Sequence, residues 1–173
     1  MKKIIFSLIC LIVFLFLSSC GIKKDMTDQI VPYFTNGAVF NAGLEFDDIS
    51  AKAKVSIGDE VIFKITSEGN IYGTELKYTE GICKIKYNGM EFSRPADEND
   101  PFYIITQAFE FLAMCQYNKN DAQISEFDGS QKYIFDLSDG DVKVRLIADK
   151  AACVPYLAQI YLNEKKISVY FHE

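Results

Sequence analysis

The feature that most limits what this chain can fold into is an apolar–polar alternation of period two, carried through most of its length and broken once by a stretch of helical period. Residues 38–46 put Phe40, Ala42, Leu44 and Phe46 on one side. Residues 49–57 put Ile49, Ala51, Ala53, Val55 and Ile57 opposite Lys52 and Lys54. The pattern recurs over 60–66, 74–79, 82–87, 131–137, 141–147, 154–162 and 166–171. Successive strand side chains point to opposite faces, so each segment predicts a strand with one apolar and one wet side. Gly58-Asp59, Glu80-Gly81, Asn88-Gly89 and Ser138-Asp139-Gly140 supply tight turns between them. Short strands joined this way make an antiparallel meander.

The interruption is residues 101–117. Asn99 or Asp100 can cap a helix there, and Pro101 suits its first position. Thr106, Gln107 and Glu110 share one arc, while Phe102, Ile104, Ile105, Ala108, Phe109, Phe111, Leu112 and Cys115 cover roughly the other half. That apolar half is wider than the ~100° stripe of a surface helix. Such a helix is wrapped, as inside a curved sheet, or deeply buried on a flat one. The expected class is mainly β (α+β): a curved, unclosed antiparallel β-barrel or half-barrel with one central apolar helix.

Composition removes several functions. The 173 residues suit one domain, and 18 Lys and Arg against 24 Asp and Glu give a net charge of −6. No basic footprint exists for nucleic acid. His172 is the one histidine, so no His-based metal cluster or His-dependent triad can form. Asp47-Asp48, Asp97-Glu98 and Asp139-Gly140-Asp141 do not fit a calcium loop, and no glycine-rich phosphate loop occurs. The chain reads as non-catalytic and free of cofactors and metals.

Residues 1–19 read as a targeting segment. Lys2 and Lys3 precede an apolar run from Ile4 to Leu17, interrupted by Ser7 and shorter than the ~20 residues of a spanning helix. Leu17-Ser18-Ser19-Cys20 resembles the lipobox of bacterial lipoproteins. That resemblance implies cleavage before Cys20 and a diacylglyceryl group on its thiol, with the membrane as partner and the extracytoplasmic face of the cell envelope as location. The expected organisation is signal peptide 1–19, lipidated cysteine and tether 20–35, and one domain over 36–173. Loss of Lys2 and Lys3 leaves 16 Lys and Arg and a mature charge of −8. Cys83, Cys115 and Cys153 remain, either as one bridge and a free thiol or as three reduced cysteines.

Eleven Phe and 10 Tyr remain in the mature chain, a dense set that can be a packed core or an apolar ligand cavity. Phe40-x-Ala42-x-Leu44-x-Phe46, Val61-x-Phe63-x-Ile65, Ile71-Tyr72-Gly73 and Tyr87-Asn88-Gly89-Met90-Glu91-Phe92 precede an acidic loop and the apolar helix. This order resembles the LolA/LolB/LppX-like lipoprotein carrier superfamily. The resemblance implies an unclosed barrel whose concave cavity holds a lipid or acyl chain. The wall expected on that reading is Phe46, Val55, Phe63, Ile65, Leu76, Tyr78, Ile85, Tyr87, Ile105, Phe109, Leu112 and Leu146. The chain departs from the family before the first strands: Met26 to Val31 leave room for a short helix, and Pro32 is expected to end it. The alternative is a tethered envelope module with a fully packed core that acts through its outer face.

Replacing the lipidated thiol tests the anchor directly. The C20A chain is expected to lose the acyl mass from its N-terminal peptide and to leave the detergent phase on Triton X-114 partitioning. An unchanged partition would contradict the lipobox reading.

Overall fold

The structure is a computed structural model describing residues 25–79, 81–162 and 165–172. A short helix α1 (Thr27–Ile30) and a 3₁₀ turn (Val31–Phe34) lead into β1 (Val39–Phe46), β2 (Ile49–Ile57), β3 (Val61–Ile65), β4 (Glu75–Thr79), β5 (Ile82–Tyr87) and β6 (Met90–Pro95). Helix α2 (Pro101–Met114) follows, then β7 (Gln123–Phe127), β8 (Ser130–Asp139), β9 (Val142–Asp149), β10 (Pro155–Leu162) and β11 (Lys165–His172). The strands form one sheet in the order β6-β5-β4-β3-β2-β1-β11-β10-β9-β8-β7, antiparallel at every pairing. Its edges, β6 and β7, do not pair, so the sheet is unclosed as expected.

Curvature follows from what α2 touches. Eleven strands at about 4.8 Å spacing would span about 48 Å if flat, against ~10 Å for a helix. Yet the core that contains Ile104, Ile105, Phe109 and Leu112 also takes residues from nine strands, β1 to β5 and β8 to β11. The sheet therefore bends around α2. The alternation predicted for β2 appears as Ala51, Ala53, Val55 and Ile57 buried between exposed Lys52 and Lys54, while Ile49, expected on the same face, is exposed at the start of the strand. Asn88 and Gly89 both take positive φ, 48° and 79°, which the tight β5–β6 hairpin demands.

Three expectations need correction. Helix α2 ends at Met114 rather than 117, and Tyr117 beyond it is fully buried in extended chain. The first α-helix is short as expected and stops at Ile30, with Val31 as its C-cap; Pro32 follows in the opening of a 3₁₀ turn, where its missing N–H costs nothing. Met26, Ile30 and Phe34 are buried in the core, so most of the segment read as tether belongs to the domain. Strand β7 went unpredicted: all five of its residues are exposed, so it shows no alternation, although Asp128-Gly129 marks its hairpin with two positive φ values. A register shift between Pro155 and Leu157 also carries Tyr156 off the core face, where its ring meets Phe127 and the Lys132 ammonium.

Cys83, Cys115 and Cys153 are all unbridged. Among the described residues no helix is long and apolar enough to cross a membrane.

The half of the sheet beyond β11 carries a pH-dependent tie. Lys132, itself nearly buried, donates to Asp149 at 2.8 Å, and the N–H groups of Ala152 and Ala151 donate to the same carboxylate. These contacts, Lys132 foremost, hold the Asp149 carboxyl at about 2. Since the folded value lies below the unfolded one, the stabilisation is present above about pH 4 and is lost as pH falls towards 2. Urea midpoints are expected to drop less for D149N than for the native chain between pH 4 and pH 2. Parallel curves would exclude the tie.

Candidate functional site

Helix α2 fills the concave side of the sheet through two aromatic boxes, one near each end. Phe102 packs between Phe46 and Phe63, with ring centroids 5.7 and 5.2 Å away. Phe109, seven residues on and so on the same helical face, meets Phe34, Phe40 and Phe171 at 5.7, 5.9 and 6.4 Å. Most of these contacts are tilted or edge-on, the geometry aromatic quadrupoles favour.

A polar latch fixes the N-terminal end of α2. Asp100 Oδ1 caps the helix, accepting from the Phe102 N–H at 2.9 Å. Its Oδ2 accepts from the Tyr78 hydroxyl on β4 at 2.9 Å and from the Arg94 guanidinium on β6. Burial, reinforced by the Cys83 and Asp100 side chains, pushes the Tyr78 hydroxyl far above its ordinary range, so it stays a donor. Tyr103, one turn into the helix, lies 6.1 Å from the Tyr78 ring.

A half-open groove of about 690 Å³ runs along α2, between the helix and the rim formed by β2, β3 and β4. Phe34, Ile57, Val61, Tyr78 and Tyr103 give it an apolar wall, and Ala113 and Met114 line it towards the C-terminal end of α2. Asp59, Gln107 and Glu110 supply a polar side. A second, smaller groove of about 300 Å³ flanks the helix against β9 and β10, and again includes Tyr103 and Gln107. The helix thus has open volume on both sides. Among the described residues, no group of three or more His, Cys, Asp or Glu could hold a metal.

Eleven of the twelve expected wall residues are brought together on the concave side, but mostly as core. Phe46, Val55, Phe63, Ile65, Tyr78, Ile105, Phe109, Leu112 and Leu146 are buried together, and Leu76 and Ile85 pack against them half-buried. Tyr87 lies apart, with its hydroxyl donating to the Asn70 carbonyl at 2.7 Å. Tyr78 alone among the twelve lines the groove. The space that the strand residues among them would line is filled by side chains of α2, Ile105, Phe109 and Leu112 included. Phe34, Tyr103, Gln107 and Met114 were not anticipated as lining. The spacing of Met26, Ile30 and Phe34, four residues apart each time, was the available signal for the first. Cys20 and the targeting segment lie outside the described residues.

Removing the latch is expected to loosen α2 without unfolding the sheet. D100A loses a helix cap worth ~1 kcal/mol and strands the Tyr78 hydroxyl, a further ~1–3 kcal/mol. Urea titration should show that combined loss, and amide exchange should quicken first in residues 102–106. Uniform quickening across the sheet would contradict a local latch.

No family model matches the chain, and no curated protein matches it. Among solved structures it is similar to a LolA superfamily protein, NE2245, from Nitrosomonas europaea, with TM-score 0.41 and 10% identity, covering 86% of this chain and 90% of that one. It is similar to LprF from Mycobacterium bovis, with TM-score 0.41 and 12% identity over the same shares, 86% and 90%. A third likeness, to the lipoprotein LppX of Mycobacterium tuberculosis, has TM-score 0.39 and 9% identity, and covers 78% of this chain and 84% of that one.

Proposed function

We propose that this chain is a lipid-anchored protein of the bacterial cell envelope that takes up a lipid or acyl chain beside α2, without catalysis. The observation that carries this reading is the groove of about 690 Å³, whose apolar wall of Phe34, Ile57, Val61 and Tyr78 is continuous with the core. Its size falls within the ~300–1,000 Å³ of small-molecule sites. An acyl chain burying ~10 methylenes there gains about 8 kcal/mol before binding costs. Movement of α2 away from the sheet would extend the site inwards, to the buried residues expected as its wall. The polar side carries two carboxylates, Asp59 and Glu110, and no cation. A neutral or zwitterionic headgroup is therefore preferred over an anionic one.

A second reading has its own support. Nine of the twelve expected wall residues are already buried in a close-packed core, as in a tethered module that acts through its outer face.

Binding of a phosphatidylcholine carrying a fluorescent acyl chain, a zwitterionic probe, to the domain starting at Cys20, with C20A, separates the two. Saturable binding is expected. A113R places a guanidinium in the groove towards the C-terminal end of α2 and should weaken it at least about tenfold, ~1.4 kcal/mol, with an unchanged circular dichroism spectrum. Absence of binding, or equal binding by A113R, would favour the packed module.

A further inference from the structure

We propose that the C-terminal end of α2, with Met114 at its tip, is the surface that faces the lipid bilayer. This rests on the lipid-anchored reading above. The chain enters the described structure at Asp25, which bridges to Asn118 just beyond α2. The Met26 N–H donates to the Tyr117 carbonyl at 2.8 Å, and the Tyr117 N–H donates to Thr27 Oγ1 at 2.9 Å. The Tyr117 hydroxyl in turn donates to the Leu112 carbonyl at 2.8 Å, and its ring is fully buried 5.3 Å from Phe135. The tether is therefore stitched to the end of the helix rather than to a strand.

Chain length then limits orientation. Four residues lie between Cys20 and Asp25, so five chain steps join them, and a chain spans at most about 3.6 Å per step. An acyl-bearing Cys20 keeps Asp25, and the end of α2 bonded to it, within about 18 Å of the interface. Among the described residues Met114, 74% exposed, is the most exposed of the large apolar side chains, and it also lines the groove. The charges next to the tether are mixed: Lys23, Lys24 and Lys119 stand with Asp25, Asp28 and Asp121, while Glu110 and Asp59 on the groove leave this end weakly acidic and suited to a zwitterionic rather than an anionic surface. The groove consequently opens where lipid is supplied, and a lipid reaches it without crossing water.

The chain contains no tryptophan, so a single introduced one reports its own surroundings. The acylated full chain carrying M114W, or K54W on the exposed side of β2, is reconstituted into vesicles containing brominated phosphatidylcholine. Quenching is expected for M114W and not for K54W. It should largely vanish when about twenty Gly-Ser residues, a flexible spacer, are inserted after Gly21. An unquenched M114W, a quenched K54W, or a chain found without acyl mass at Cys20 would overturn the proposal. Quenching of M114W that survives the longer tether would overturn the orientation while supporting a lipid held in the groove.

Discussion

The structure depends on how an open sheet covers its concave apolar face. A closed barrel can fill its interior with strand side chains alone, but here β6 and β7 remain unpaired and the inner face is wide. Helix α2 supplies the missing apolar volume, and two of its side chains, Phe102 and Phe109, do most of the joining. Each sits among aromatic rings from separate parts of the chain. The curvature of the sheet and the burial of the helix are consequently one fact, since neither element could hide its apolar surface without the other.

The two ends of that helix are held differently. At the N-terminal end a single carboxylate, Asp100, ties the first turn to β4 and β6. At the other end the helix is bonded, through Tyr117, to the segment that begins the domain. Open grooves lie along both flanks. A helix supported at its ends and free at its sides can shift without breaking strand pairing, because all eleven strands are hydrogen-bonded independently of it. This separation of sheet from plug is what a lipid-binding role would use.

Much of this was legible in the sequence where burial follows local rules. Strands β1 to β5 show in the alternation because one face is buried and the other wet. Helix α2 shows because Pro101, a cap and a broad apolar half coincide. Strand β7 was hidden because an edge strand exposed on both faces carries no period. The core role of Met26, Ile30 and Phe34 was masked by the tether assignment, although their spacing is helical. Asp100 was readable as a cap, but not as a latch: Tyr78 and Arg94 reach it from strands whose curvature depends on the whole sheet. Above all, alternation tells which face Phe63 and Leu146 occupy and is silent on what fills the space in front of them. That space is taken by α2, so the site accessible in this structure lies beside the helix.

The most direct test of a sheet wrapped around a displaceable helix is native mass spectrometry of the acylated chain, purified from its own cells in a mild detergent. The account predicts a population carrying the mass of one further lipid, beyond the acyl groups on Cys20. A uniform mass with no added lipid, across preparations that retain the native circular dichroism spectrum, would contradict it.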